Sequence, residues 1–320
     1  MEILMKAFNI IVFPGFLFCC IIGLWLAGID RKAVARMQKR KGPPLLQPTY
    51  DFFKLTGKET IIPDNASRRV YLAAPVVGLV SLIVTALFLP VMGMPSVFGG
   101  KADLIVVLYL LTIPALAMII GGSASGSPYA GVGLSREMVA VIAYELPLII
   151  VLITVGKKVG MAADGSMSFS LDAISAFQQQ SGSIITNWAM IPAALAMLLI
   201  IPCKVGSHPF DVAEAETEIC EGLITEYSGT PLAIFKLSHA IKMFIMTWLF
   251  AVLFLGGLTT GNTALDALIL VVICSLVTLV CMSFVKAITA RIKVEQLFKF
   301  FWGFVTVLSL ISMILVWIGL

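Results

Sequence analysis

The sequence predicts an all-α, polytopic integral membrane protein with about eight transmembrane helices and both termini on the external side. Of its 320 residues, 59% are hydrophobic and only 12% are charged, whereas about a quarter of the residues in ordinary soluble domains are charged. The mean hydropathy is +1.02. Long apolar runs replace the short alternating strands of a membrane barrel, and lipid favours helices because they satisfy their own backbone groups. A water-soluble fold is excluded.

Eight stretches are apolar over roughly the 20 residues that a helix needs to cross a hydrocarbon core about 30 Å thick. Numbered span 1 to span 8, they have approximate limits of 7–29, 71–92, 104–121, 137–156, 187–203, 232–257, 267–285 and 300–319. The chain, 1–320, is expected to form a single membrane domain with two large loops, at about 30–69 (loop 1–2) and 204–231 (loop 5–6). Span 1 lacks a small-residue cleavage pattern, so we expect it to be retained.

Basic residues are concentrated on one side of the predicted membrane. Loops 1–2, 3–4, 5–6 and 7–8, with their edges, hold 17 of the 22 lysines and arginines, and loop 1–2 alone holds 10. The positive-inside tendency therefore predicts that the large loops are cytoplasmic and that the protein is a multi-pass protein of the plasma membrane. The net charge of +4 is dispersed along the chain and does not indicate nucleic-acid binding.

Two shorter segments are also interpreted. Residues 121–131 contain four glycines and a proline, which indicates a flexible or re-entrant cytoplasmic turn after span 3. A surface helix is expected near Leu171 to Gln179. The six cysteines include no CxxC pair and five lie in apolar segments, so no metal site, iron-sulfur centre or other cofactor is expected in this chain.

Loop 5–6 has the most acidic segment of the chain. Six of the 18 acids lie within 16 residues: Asp211, Glu214, Glu216, Glu218, Glu221 and Glu226. If the segment is helical, Glu214, Glu218 and Glu221 share one face. The apolar residues between the acids indicate partial burial, and crowded buried carboxyl groups raise one another's pKa toward neutrality. A solvated acidic surface helix is the alternative.

Charged residues inside spans 4 and 6 are the second set of candidates. An ionised acid near the bilayer centre costs at least about 2.5 kcal/mol, which makes Glu145 a functional candidate; a structural pair with a base on a neighbouring helix is compatible with that role. Lys242 is expected to pair with an acid of loop 5–6 or with Glu145, and His239 to act as a relay. The candidate ion path in these spans comprises Glu137, Tyr144, Glu145, His239 and Lys242.

Loop 1–2 combines basic residues with ordered Gly-Pro-Pro and Leu-Leu-Gln-Pro runs, a pattern suited to docking another protein. Contact with anionic lipid head groups is the alternative, worth about 1 kcal/mol per basic residue. The docking candidates are Arg36, Gln38, Lys39, Arg40, Gly42, Pro43, Gln47, Asp51 and Lys54.

Three motifs resemble the family of complex I subunit 1 and the membrane-anchor subunits of energy-converting (group 4) nickel-iron hydrogenases. They are Gln38-x-Arg40-x-Gly42-Pro43 with Leu46-Gln47-Pro48-x-x-Asp51-x-x-Lys54, Tyr144-Glu145, and Pro209-Phe210-Asp211-x-x-Glu214-Ala215-Glu216 with Thr225-Glu226-Tyr227-Ser228-Gly229. The resemblance implies a membrane anchor without catalytic residues. It also implies a peripheral arm made of a hydrogenase-like large subunit with nickel-iron and an iron-sulfur small subunit. Antiporter-like membrane subunits are implied as well, and the ion path would lead to them.

Departures from the quinone-reducing pattern favour the hydrogenase branch. The run between Pro43 and Leu46 is very short, and His239 stands where complex I relatives tend to carry a carboxylate. The same anchor role in a sulfur-reducing or a quinone-reducing complex I relative is the first alternative. A stand-alone secondary transporter is the second, although it leaves the ordered loops unexplained. Whether the translocated ion is H⁺ or Na⁺ stays open.

Overall fold

The structure is a computed structural model that describes residues 8–98, 102–163 and 167–319, with their side chains except those of residues 162, 163, 216 and 217. Over these residues, eight helices are long and apolar enough to cross a membrane. They are Phe8–Met37, Arg68–Phe88, Leu104–Ser125, Pro128–Met161, Trp188–Val205, Gly229–Phe254, Thr263–Ile288 and Val294–Trp317, spans 1 to 8 in that order. The prediction of an all-α membrane protein with eight spans is confirmed. The side on which the termini lie stays a prediction.

Several spans are interrupted or extended relative to the expected limits. Span 3 consists of the helices Leu104–Leu110 and Ile113–Ser125, and spans 7 and 8 contain wider π-helical turns at Leu279–Ser283 and Phe300–Val305. The helix of span 4 runs over Pro128–Ala163 and that of span 5 over Ile191–Val205. As a result Glu137 lies well inside span 4, and Lys204, expected in a loop, lies inside span 5.

Span 6 is the centre of the bundle. In its most apolar window, 94% of the residues are buried inside the protein, against 28% for span 1 and 33% for span 8. It packs against spans 1, 2, 5 and 7. A helix enclosed by protein on all sides can carry polar residues that a lipid-facing helix cannot, which explains why Lys242 is tolerated there with only 5% of its surface exposed.

The glycines after span 3 serve packing instead of forming a long turn. The helix of span 3 continues to Ser125 and ends at Gly126, whose φ is 71°, and span 4 begins two residues later. A Cβ on Gly122 would lie 2.7 Å from the Leu223 side chain, and one on Gly133 would lie 3.0 Å from the Leu223 nitrogen. The expected flexible or re-entrant turn at 121–131 is therefore wrong, because these small residues let loop 5–6 insert between spans 3 and 4.

Two helices lie outside the spans. One is Gln47–Thr56 in loop 1–2, and the other is Leu171–Ser181, which confirms the surface helix expected near Leu171. Gln178 of the second helix is completely buried. Its amide donates to the carbonyls of Val252 and Leu253 and accepts from the Gly256 nitrogen at 2.7 to 3.1 Å. The helix is thus fixed to the end of span 6.

Candidate functional site

Loop 5–6 is irregular, so its acids do not share a helical face. Its regular parts are three short turns, Val212–Glu214, Glu216–Ile219 and Gly222–Ile224. The φ angles of residues 220, 221 and 222 are 51°, 68° and 51°, in the left-handed region that a continuous right-handed helix does not contain. The helical interpretation of this loop is wrong, and Glu218 lies apart from Glu214 and Glu221, which line one cavity.

Asp211 anchors the start of loop 5–6 to loop 7–8. Arg291 donates from two guanidinium nitrogens to the two carboxylate oxygens of Asp211, at 2.7 and 3.0 Å. The Nδ1 of His208 lies 3.6 Å from the same carboxylate, and its Nε2 is 3.0 Å from the Thr289 carbonyl. A two-point arginine–carboxylate contact of this kind fixes geometry as well as charge. Asp211 is therefore held in a fixed ionic contact, and its place in the ion path stays a prediction.

Glu218 lies at the surface of the same loop. Arg136 of span 4 pairs with its carboxylate at 2.5 Å, and about half of the Glu218 side chain is exposed. Glu226 is partly buried, and its backbone carbonyl accepts a hydrogen bond from the Tyr71 hydroxyl at 2.7 Å. The Glu216 side chain lies outside the described part of the chain.

Glu214 is the acid of loop 5–6 whose surroundings most favour proton exchange. Its pKa is raised from the usual 4.5 to about 7, mainly by burial and further by the charges of Glu137, Asp211 and Glu221, while Lys242 lowers it. A carboxyl group with such a pKa gains and loses a proton near neutral pH. Glu214 therefore matches the expectation that crowded, partly buried acids in this loop titrate near working pH.

A cavity of about 290 Å³ lies between loop 5–6, helix Gln47–Thr56 and spans 1 and 6. Its walls are apolar at residues such as Leu24, Phe52, Leu55, Phe235 and Met243. Its polar lining is Asp30, Arg31, Asp51, Glu214, Glu221, Lys236, Ser238, His239, Lys242 and Lys286. The cavity thus brings two acids of loop 5–6 together with the three basic residues at the start of span 6.

The acids of span 4 lie beyond this cavity lining. The charges of Glu137 and Glu214 both act on Lys242, whereas Glu145 is not among the groups that affect it. The expected pairing of Lys242 with an acid of loop 5–6 or with Glu145 stays a prediction. Tyr144 is buried, and its hydroxyl has no hydrogen-bond partner within the described residues.

Two charged residues of the site were missed by the sequence analysis. Lys204 is 1% exposed, and its Nζ lies 4.9 Å from the centroid of the Tyr144 ring. Asp30, 6% exposed, accepts from the Ser283 hydroxyl at 2.8 Å and from the Lys286 ammonium at 3.3 Å. Both stand at the expected end of a span, where a charge is common. The apolar neighbours Cys203 and Val205 are the signal that could have placed Lys204 inside the helix.

The docking candidates of loop 1–2 divide into exposed and internal residues. The exposed residues are Arg36, Gln38, Lys39, Arg40, Gly42 and Lys54, while Pro43, Gln47 and Asp51 are partly buried. Burial works to raise the pKa of Asp51, but hydrogen bonds from Gln47 and Arg31 hold it below its usual range. The contact between Asp51 and Arg31 therefore links helix Gln47–Thr56 to span 1, while the hydrogen bond between Gln47 and Asp51 lies within the helix.

Over the described residues, no group of three or more His, Cys, Asp or Glu side chains is placed to hold a metal ion. The cysteines are unpaired in this part of the chain, and Cys220 is the exposed one among them. The site as described is a set of carboxyl groups, amines and one imidazole around a cavity. Such groups can bind, hold and pass cations.

Comparison with known proteins gives consistent similarities over nearly the whole chain. The sequence pattern of the family described as NADH dehydrogenase matches residues 8–317. An NADH-quinone oxidoreductase subunit of Thermomicrobium roseum is 34% identical, over 90% of this chain and 88% of its own length. Hydrogenase-4 component C of Escherichia coli (strain K12) is 35% identical, over 71% of this chain and 69% of its own length.

A solved structure is similar as well. A chain in the structure of the membrane-bound sulfane sulfur reductase, an archaeal respiratory membrane complex, superimposes with a TM-score of 0.87. It is 30% identical to this sequence, and the match covers 98% of this chain and 99% of that chain.

Proposed function

This chain belongs to the NADH dehydrogenase family, that of complex I subunit 1, and from this we propose that it couples ion translocation to redox chemistry in an energy-converting, hydrogenase-like complex. It is a membrane subunit of the multi-subunit respiratory complexes that include complex I-like and hydrogenase-4-like assemblies. In the proposed role, its cytoplasmic loops dock a peripheral arm with nickel-iron and iron-sulfur centres. Its buried acids and bases pass charge to antiporter-like subunits.

The observation that carries this proposal is the position of Glu214. Its carboxyl group has a pKa of about 7, faces the cavity beside Glu221, and interacts electrostatically with Lys242 and Glu137 in the bundle. A group that titrates at working pH responds to small changes in nearby charge, because one pKa unit corresponds to only about 1.4 kcal/mol. A redox-driven shift of loop 5–6 would therefore change the protonation of Glu214 and the charge balance on Lys242 and Glu137.

The ordered contacts of loop 5–6 support its role as the moving element. Asp211 holds its first residues to loop 7–8, and Ser228 at its far end accepts from the Ile61 nitrogen of loop 1–2 at 2.8 Å. If a docked partner displaced loop 1–2, these contacts would transmit the displacement to the acids of loop 5–6. We propose that this is how events in the arm reach the membrane.

The test is a set of glutamine substitutions in the intact complex. Glu214→Gln and Glu145→Gln are expected to leave assembly and electron transfer intact and to abolish the redox-driven membrane potential in sealed vesicles, read with a potential-sensitive dye. The matched control is Glu295→Gln, at an exposed acid in the first turn of span 8. If Glu214→Gln generates the potential of the unmodified complex, the proposal fails.

A second candidate function is a quinone-reducing anchor, which the cavity favours. Its lining combines apolar side chains with polar ones, among them Ser238, only 6% exposed, whose hydroxyl has no hydrogen-bond partner in the described part of the chain. Pockets that bind an organic head group combine such walls with a few polar groups. Inhibition of turnover by a short-chain quinone analogue, relieved by Leu55→Trp in the cavity wall, would favour this candidate. Turnover unaffected by the analogue would exclude it.

A further inference from the structure

A second pocket, of about 320 Å³, lies between loop 1–2 and the ends of spans 1 and 7. Small and apolar residues form part of its lining, and the rest is basic. The lining is Val34, Ala35, Gly42 and Pro43, with the bases Arg31, Arg40 and Lys286. Among the described residues, no acid lines this pocket. Its charge therefore suits an anion.

The pocket forms because loop 1–2 turns back onto span 1 directly after the span ends at Met37. Lys39 and Gly42 have φ angles of 59° and 67°, which reverse the direction of the chain. A Cβ on Gly42 would lie 2.7 Å from the Ala35 Cβ, so the loop approaches span 1 this closely only because residue 42 is a glycine. The turn places Arg40 at the pocket.

The three bases carry one positive charge more than the acids that hold them. Arg31 donates to Asp51 at 3.0 Å, and Lys286 donates to Asp30 at 3.3 Å. Arg40 donates to a side-chain amide oxygen of its own loop, which is uncharged. A single carboxylate in the pocket would complete the charge balance.

Lys286 and Arg31 belong to this pocket and also to the cavity that contains Glu214. Asp30, the acid that pairs with Lys286, lines the cavity as well and accepts from the Ser283 hydroxyl at 2.8 Å. An anion bound in the pocket would compete with Asp30 for the Lys286 ammonium group. The occupancy of the outer pocket therefore bears on the charges of the inner cavity.

We propose that the pocket binds a carboxylate side chain of the peripheral partner, held by Arg40 and Lys286. This inference rests on the proposed docking of a peripheral arm and names the chemistry of one contact. The position favours a protein acid over a lipid phosphate, because Arg40, Gly42 and Pro43 lie beyond the end of span 1, in the loop. Arginine and carboxylate form charge-assisted hydrogen bonds of specific geometry. Through Lys286, this contact connects docking to Asp30 in the cavity.

The first test is cross-linking of the purified complex with a water-soluble carbodiimide, which joins a carboxylate directly to an amine in contact with it. Mass spectrometry is expected to find the Lys286 peptide linked to an acidic peptide of a peripheral subunit. Arg40→Lys places a second amine in the pocket and should link to the same peptide. Arg68→Lys, with its amine at an exposed position in the first turn of span 2, is the matched control and should not.

The second test is an exchange of charges. Arg40→Glu is expected to lower the amount of arm that co-purifies at a fixed salt concentration about fivefold, the effect of a modest ion pair. Replacing the cross-linked acid of the partner by lysine should restore the arm in Arg40→Glu. Arg68→Glu, the same change outside the pocket, should retain the arm normally.

Three outcomes would overturn the inference. One is cross-links of Lys286 confined to acids of its own chain such as Asp30, and another is normal retention of the arm by Arg40→Glu. The third is a phospholipid that native mass spectrometry finds on the unmodified chain and not on Arg40→Glu, without a cross-link between subunits, which would assign the pocket to a lipid head group.

The coupling proposal fails separately from this one. If Lys286 links to the arm and Glu214→Gln still generates a normal membrane potential, the pocket stands and the coupling role of Glu214 falls. If Glu214→Gln abolishes the potential and the cross-link is absent, the coupling role stands and the pocket falls.

Discussion

Asp211 and Glu214 are three residues apart, yet the fold gives their carboxyl groups opposite surroundings. Asp211 is held by two hydrogen bonds from Arg291, a fixed ionic contact. Glu214 is partly buried, and its burial together with the charges of three other acids raises its pKa to about 7. The sequence places both residues in one acidic run, and only the neighbouring chain segments distinguish the carboxylate held by an arginine from the one with the raised pKa.

The raised pKa of Glu214 predicts a pH dependence of stability. Between about pH 4.5 and pH 7 the folded protein keeps a proton on Glu214 that the unfolded chain releases, so stability falls as the pH rises through this range. The contribution is fully present below the usual pKa of 4.5 and is lost above about 7. We expect Glu214→Gln to remove this part of the pH dependence.

The measurement is the thermal unfolding midpoint of the detergent-solubilised complex at a series of pH values across that range. Glu295→Gln, at an exposed position, should retain the profile of the unmodified protein. A Glu214→Gln profile that matches the unmodified one would show that Glu214 does not bind this proton.

At the scale of elements, loop 5–6 is a packed insertion and not a surface helix. Its turn at residues 220–222 fits against span 4 and the first turn of the loop only because glycines leave space at Gly122, Gly133 and Gly222. The segment that carries the acids is thereby packed between spans 3 and 4. Hydropathy and spacing predict the spans on either side, but they cannot show that an acidic segment is inserted between two of them.

Gly222→Ala tests this insertion. A Cβ there would lie 2.2 Å from the Ala213 carbonyl oxygen, at a φ of 51° that side chains rarely adopt, and backbone strain of this kind costs about 1 to 3 kcal/mol before the clash is counted. We expect a clear loss of assembled complex, measured by gel filtration in mild detergent. Gly131→Ala, where a Cβ meets nothing within 4 Å, should assemble normally. Equal yields for the two variants would contradict the packed insertion.

At the scale of the whole molecule, the structure is a membrane bundle with a polar interior opening toward loops 1–2 and 5–6. Span 6 is enclosed by its neighbours, and the cavity at its start collects charged groups from spans 1, 6 and 7, loop 5–6 and helix Gln47–Thr56. The basic side chains of loop 1–2 are exposed beside this opening. This arrangement suits a subunit that receives a partner at one end and conducts charge inward.

Replacing Arg36, Lys39 and Arg40 together by glutamine is expected to loosen the peripheral arm. Each exposed ion pair across an interface contributes only a modest amount, about 0.2 to 1 kcal/mol, so the triple change is needed for a measurable effect. Co-purification of the arm with this chain at rising salt concentration is the measurement. Arg68→Gln/Arg69→Gln, at exposed positions in the first turn of span 2, is the control. Normal retention of the arm by the triple variant would contradict docking at these residues.

The sequence alone determined that the protein lies in a lipid bilayer, the number and approximate limits of its eight spans, and the family. These follow from apolar length and ordered motifs, which are local properties of the chain. It also indicated Glu145, Lys242 and the acidic run as candidates. Only the tertiary structure decided that Asp211 is held by Arg291, that the pKa of Glu214 is about 7, and that Lys204 is buried. Those outcomes depend on which charges of distant segments come within a few ångströms, and spacing along one chain does not contain that information.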